Sequence, residues 1–228
     1  MSKPIFEIRP TPSIPILQSE QVFPVRHIYC VGRNYTEHAK EMGYSGREAP
    51  FFFSKPADAI VVNPTNLSYP TGTSELHHEV ELVVAIGKTG QLIEIDNAWD
   101  HVYGYALGID LTKRDVQAEA KAKSRPWDMA KAFDQSAPIS SIISKQAIEH
   151  VTEGEISLCI NKTVKQQANI NQMIWSIPEI IVELSQHITL QAGDLIFTGT
   201  PSGVGGIKKG QHVSASLFGK LHLEFVYS

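Results

Sequence analysis

The segment His77-His78-Glu79-Val80-Glu81-Leu82-Val83-Val84-Ala85-Ile86-Gly87 leaves little choice of structure. Its second half is a run of aliphatic and β-branched residues that reads as a buried β-strand. Residues i and i+2 of a strand share a face. Glu79 and Glu81 therefore project together, with Val80 on the opposite side. Two carboxylates leading into an apolar strand repel each other and resist burial. Two arrangements resolve the conflict. A bound cation neutralises the pair, and the hard ions Mg²⁺, Mn²⁺ and Ca²⁺ favour oxygen ligands. Alternatively, the pair marks a strand end that faces water.

The rest of the chain is consistent with one folded domain around that strand. Its 228 residues are enough for a sizeable core. Hydrophobic residues make up 42% and charged residues 19%, a globular composition. A net charge of -4, with both signs well mixed, gives no reason to expect a nucleic-acid or membrane surface. No apolar run is long enough for a membrane span. The opening Met-Ser-Lys-Pro-Ile-Phe-Glu lacks the apolar core of a signal peptide. Cys30 and Cys159 sit in apolar, strand-like runs and read as buried free thiols of a cytoplasmic protein.

Residues 1–24, with five prolines, read as an extended N-terminal arm, and residues 25–228 as a single catalytic domain. Strands are expected at His27 to Gly32, Ala59 to Asn63, Val102 to Ile109, Ile156 to Ile160 and Asp194 to Thr200, with a closing hairpin of Val213 to Phe218 and Leu221 to Tyr227. Val116 to Lys123 has strong helix propensity. Ser176 to Ser185 is a helix with Ser176 and Glu179 as a capping box. Asp96 to Asp100 reads as a short helix, and Pro126 to Asp134 as a loop or irregular turn. His38 and Glu41 are three apart on a short polar helical segment between a strand and glycines. That segment is either a lid or an exposed turn with a surface ion pair. Lys131 lies among apolar residues, so its charge is either snorkelling or placed for use.

Several segments, in order and spanning roughly residues 27 to 206, closely resemble the fumarylacetoacetate hydrolase family, in particular its small acylpyruvate hydrolase branch. They are Val31-Gly32-Arg33-Asn34-Tyr35 with His38 and Glu41, Phe53-Ser54-Lys55-Pro56, His77 to Leu82, Gly108 to Gln117, Pro126 to Lys131, Ser176-Ile177-Pro178 and Phe197 to Gly205. The resemblance implies a mixed, β-rich α+β fold, a β-roll with a few peripheral helices. It implies Mg²⁺ or Mn²⁺, with Ca²⁺ possible in crystals, held by Glu79, Glu81 and Asp110. The implied reaction is hydrolytic carbon–carbon cleavage of acylpyruvates (2,4-dioxo acids) to pyruvate and a carboxylic acid. His38, oriented by Glu41, would deprotonate water; Lys131 would stabilise charge and return a proton; Gln117 would position the substrate. Arg33, Lys55 and Thr200 are candidate substrate contacts, and His78 a partner of the carboxylates rather than a ligand. The same enolate chemistry also serves an oxaloacetate decarboxylase or keto–enol tautomerase, which needs no attacking water. A non-catalytic metal-binding scaffold is a third possibility. Similar proteins pair through their β-rolls, so a homodimer acting on a small 2-oxo acid is expected.

Overall fold

The computed structural model describes residues 3–7, 9–37 and 47–228. An eight-stranded mixed sheet forms the centre. Its order runs Phe51–Lys55, His27–Gly32, Asp194–Phe197, Val80–Ile86, Val102–Ile109, Ala137–Ile139 and Ile60–Val62, with Ile143–Ser144 added beside Val102–Ile109. Two pairings are parallel: Asp194–Phe197 with His27–Gly32, and Ala137–Ile139 with Ile60–Val62. A five-stranded sheet contains Thr163–Asn169, Glu155–Ile160, His212–Leu217, Leu221–Tyr227 and Asn66–Leu67. A small third sheet joins Thr112–Lys113, Leu76–His78 and Gly205–Ile207. The helices Arg114–Ala122, Asp128–Lys131, Lys145–Ile148 and Ile177–His187 lie around these sheets. The fold is the expected β-rich α+β roll. Within the first 24 residues, Ser13–Pro15 pairs antiparallel with Val22–Pro24, and Ile14, Ile16 and Phe23 are buried.

The central strand shows why its sequence has no polar residue after Glu81. Every residue of Val80–Ile86 is buried, because both sheet faces are covered. Val80, Leu82, Val84 and Ile86 enter one core, which also takes Ile156, Leu158, Val213 and Phe225 from the five-stranded sheet and Ile180 and Leu184 from helix Ile177–His187. Val83 and Ala85 enter a second core with Phe197, Ile139 and Phe23. The neighbouring strand Val102–Ile109 repeats the division. Tyr105, Leu107 and Ile109 join the first core and Ala106 the second. Gly104 and Gly108 share the face of Ala106, where the Ile143–Ser144 backbone and the side chains of Ile142, Val83 and Phe197 press close. Glu81 and Asp110 continue that small-residue face by the period of two.

Candidate active site

Register brings the acids together. Val80 pairs with Ile109 in the antiparallel ladder, so Glu79 and Asp110 are the next residues on either side. The Asp110 amide donates to the Glu79 carbonyl at 2.8 Å, which fixes the two backbones to each other. Glu81, two residues along, turns to the same face. One carboxylate oxygen from each of Glu79, Glu81 and Asp110 lies within 4.8 Å of the others. Their residues are only 6%, 2% and 0% exposed, so water cannot neutralise them. Burial, with the charges of Asp110 and Glu79 acting in the same direction, raises the Glu81 carboxyl well above the ordinary carboxylate range.

A loop after Asp194–Phe197 grips Glu81 from the other side. The Gly199 amide donates to Glu81 Oε2 at 2.7 Å, flanked by Thr198 Oγ1 on the Leu82 carbonyl (2.9 Å) and Thr200 Oγ1 on the Val80 carbonyl (2.9 Å). Gly199 has φ +99°, and a Cβ there would stand 2.6 Å from Asn34 Cβ, so both backbone and space require glycine. Asn34 secures the loop by donating to the carbonyls of Thr198 (2.8 Å) and Trp175 (2.9 Å).

Three cations answer the three acids. Lys131 Nζ bridges Glu79 Oε2 (2.6 Å) and Asp110 Oδ2 (2.7 Å). Burial alone would depress Lys131, but Asp110 and Glu79 outweigh it and hold its pKa above the ordinary lysine value. Arg114 reaches Glu79 Oε1 at 2.5 Å and donates to Gln117 Oε1 at 2.6 Å. Lys55 is fully buried and donates to the carbonyls of Leu111 (3.2 Å) and Lys131. Its ammonium lies 2.8 Å from Asp110 Oδ1 without the alignment of a hydrogen bond, so that buried oxygen keeps an unsatisfied lone pair. The donor set and this open lone pair fit a hard divalent ion. No histidine or cysteine joins the group among the described residues.

Beside the acids is a small cavity lined by Arg33, Glu79, Asp110, Arg114, Gln117, Lys121, Lys131 and Thr200, with Phe51, Phe53 and Trp127 as an aromatic wall. Of the residues singled out in the sequence, Glu79, Asp110, Lys131, Gln117, Arg33 and Thr200 therefore meet here, with Glu81 directly behind. Lys55 does not line the cavity; its contacts fit holding Asp110 and the Lys131 backbone rather than touching a ligand. His78 also departs from expectation. It pairs through Nδ1 with Gln166 Oε1 (2.8 Å), and Gln166 in turn donates to Thr200 Oγ1 (2.7 Å), so it supports the loop rather than the carboxylates. His38 and Glu41 lie outside the described residues. Sequence reasoning missed Arg114 and Gln166. Arg114 had a usable signal, since it precedes Gln117 by three residues and so shares its helix face. Gln166, on an otherwise exposed stretch of Thr163–Asn169, had none.

The model of the fumarylacetoacetate (FAA) hydrolase C-terminal family matches residues 27–225. An oxaloacetate decarboxylase of mitochondria from Dictyostelium discoideum is 45% identical over 195 residues, covering 85% of this chain and 89% of that one. The mitochondrial oxaloacetate tautomerase FAHD1 of Mus musculus is 42% identical over 200 residues, covering 88% and 90%. The crystal structure of fumarylpyruvate hydrolase from Pseudomonas aeruginosa, in complex with Mn²⁺ and pyruvate, superposes with a TM-score of 0.96 at 43% identity over 99% of both chains.

Proposed function

Because this chain belongs to the fumarylacetoacetate hydrolase family, we propose that it is a metal-dependent hydrolase that cleaves acylpyruvates to pyruvate and a carboxylic acid. The observation that carries the reading is the convergence of three buried carboxylates on one side of a cavity rich in cations. The fumarylpyruvate hydrolase that superposes on it, itself crystallised with Mn²⁺ and pyruvate, supports it. Glu79, Glu81 and Asp110 would hold Mg²⁺ or Mn²⁺. Such an ion supplies Lewis acidity toward a 2-oxo acid and stabilises an enolate.

The chain's own groups do the rest. Gln117, Thr200 and Arg33 orient the substrate. His38, polarised by Glu41, takes a proton from water, and the hydroxide adds to the C4 carbonyl. The C3–C4 bond breaks, its electron pair remains on C3 as pyruvate enolate, and the acyl part leaves as a carboxylic acid. Lys131, held protonated between Glu79 and Asp110, offers charge and a proton at Nζ for C3. The aromatic wall of Phe51, Phe53 and Trp127 keeps bulk water from the enolate.

A second reading is oxaloacetate decarboxylation or tautomerisation, favoured by the names of the relatives just described. It uses the same enolate but no hydroxide. One experiment separates the two. Acetylpyruvate and oxaloacetate are supplied with Mg²⁺ or Mn²⁺, and pyruvate release and enol absorbance are followed separately. Acetylpyruvate hydrolysis that collapses in His38→Ala, with oxaloacetate turnover largely kept, supports the hydrolase. Turnover of oxaloacetate alone would replace it with the second reading. The proposal includes a homodimer in the cytoplasm; a monomeric mass by light scattering at micromolar concentration would remove the dimer.

A further inference from the structure

One side chain outside the cavity is tied to the segments that build it. Gln166 belongs to strand Thr163–Asn169 of the five-stranded sheet and is fully buried, between the exposed Lys165 and Gln167. Its amide uses every hydrogen-bonding position it has. Oε1 accepts from His78 Nδ1 (2.8 Å) and from the Val80 amide (3.1 Å). Nε2 donates to Thr200 Oγ1 (2.7 Å) and to the Pro201 carbonyl (2.8 Å). A backbone N–H on one side and a backbone carbonyl on the other allow only this orientation of the amide.

The backbone is shaped around this contact in two places. In the ladder with Glu155–Ile160, Leu158 pairs with Gln166 and Cys159 with Val164, so Lys165 is an extra residue, a β-bulge. A bulge re-aims the side chain beside it, and the one turned inward here is Gln166. Opposite, Gly203 of the loop has φ +89°, and a Cβ on it would overlap the Lys165 carbonyl oxygen. The loop therefore packs on the bulge itself. What Gln166 reaches is the peptide between two of the acids. Strand Asp194–Phe197 covers this edge only as far as Val83, which pairs with Phe197. Farther along, the Val80 amide meets Gln166 Oε1, and the Val80 carbonyl meets the Thr200 hydroxyl (2.9 Å), whose oxygen accepts from Gln166. Side chains stand in for the missing length of strand. His78, on the other flank of Glu79, donates to the same Oε1.

We infer that Gln166 is a positioning residue of the metal centre, which sets the spacing of Glu79 and Glu81 by fixing the Val80 peptide between them and the loop beside them. This rests on the reading above that those acids are ligands. Gln166 bonds to neither carboxylate; it acts through their backbone. The loop that it holds at Thr200 and Pro201 also carries Gly199, whose amide binds Glu81 Oε2. Loss of the amide frees both flanks of Glu79 and the support of Glu81 at once, and a set of ligands works only when held to within ~0.5 Å.

The test is Mn²⁺ affinity without substrate, read as free Mn²⁺ by electron paramagnetic resonance, beside the melting temperature of the metal-free protein. Gln166→Met keeps the length of the side chain and removes all four bonds. It should weaken Mn²⁺ binding by the folded protein ~10–100-fold, the range for groups that orient metal ligands. Gln167→Met, at the exposed next residue, should bind Mn²⁺ as the parent does. A residue needed only for stability would lower the melting temperature of Gln166→Met and leave the affinity of the folded protein unchanged; that result overturns the inference. Equal losses in Gln166→Met and Gln167→Met overturn it as well. If Gln166→Met does not fold, Gln166→Asn replaces it. One methylene shorter, its amide cannot span from Val80 to Pro201, and a loss of ~10-fold is expected. If neither variant folds with Mn²⁺ present, Gln166 is a folding residue and the inference fails. Unchanged affinity in the variants leaves the metal-dependent reading standing, whereas a parent protein that binds no Mn²⁺ removes that reading and this inference together.

Discussion

Asp110 concentrates the chemistry in one side chain, with Lys131 on one oxygen, an unsatisfied lone pair on the other, and Glu79 and Glu81 alongside. Asp110→Asn should lower Mn²⁺ affinity by more than the ~10–100-fold typical of groups that only orient ligands. Electron paramagnetic resonance of free Mn²⁺ reads this without any substrate, and affinity within tenfold of the parent would remove Asp110 from the ligand set. Lys55→Met tests a different role. It removes one of the two buried ammonium groups beside Asp110 and leaves two carbonyls without a donor, at a cost of about 3–5 kcal/mol. Urea unfolding measures the loss; less than about 1 kcal/mol would mean that the pair contributes little net stability. Asp115, on the same helix but outside the cavity, sets an acid limit. Against the cost of burial, hydrogen bonds from Thr73 Oγ1 and the Ser74 and Val116 amides lower its pKa from 3.8 to about 2. The folded value lies below the unfolded one, so its stabilisation is complete above about pH 3.8 and is lost as pH falls toward about 2. Stability of Asp115→Asn should therefore fall less steeply than that of the parent across that window.

The elements show which parts of this arrangement can be read from the chain. Strand Val102–Ile109 has the bounds expected of it, because its glycines and apolar residues alternate with the faces they pack against. A Cβ at Gly104 would come within 2.4 Å of the Ile143 carbonyl, part of a backbone that cannot swing aside. Gly104→Ala should destabilise by roughly 1–3 kcal/mol, seen as a lowered melting temperature, by forcing Ile143–Ser144 off the sheet. The helix at Ile177–His187 was equally legible, since Ser176 and Glu179 announce its start. The Glu179 carboxylate accepts from the Ser176 amide (2.9 Å) and hydroxyl (2.8 Å). Other elements carried weaker signals. The strand expected to carry both Glu79 and Glu81 begins only at Val80, and Glu79 is where the chain leaves one sheet and enters another, a tertiary event with no local periodicity. The four-residue helix Asp128–Lys131 is too short for a period of 3.6 to show, so Pro126 to Asp134 read as a loop. The 2.5 Å pair of Arg114 with Glu79 joins residues from separate elements, and no sequence pattern encodes it.

At the scale of the molecule, the candidate site is made from strands and helices that meet only when the roll has closed. An ion held by Glu79, Glu81 and Asp110 therefore favours the folded chain as a whole. With free Mn²⁺ at 100 times its dissociation constant, stability should rise by about 2.7 kcal/mol and be lost again on chelation. A thermal transition indifferent to Mn²⁺ and to chelator would speak against the site. The order of strands has a further consequence for the chain as it is made. Strand Asp194–Phe197 fills the slot between His27–Gly32 and Val80–Ile86, bonded to both. Until it leaves the ribosome, the two halves of the central sheet have facing, unpaired edges, and apolar residues such as Val83 and Ile28 lack their cover. Roughly 110 residues separate Ile86 from Phe197, a wait on the order of 5–20 s at ~5–20 residues per second. A nascent chain of this protein thus needs cover for its open edges through about half of its synthesis, and one released before Asp194 is left with two sticky half-sheets and nothing to join them.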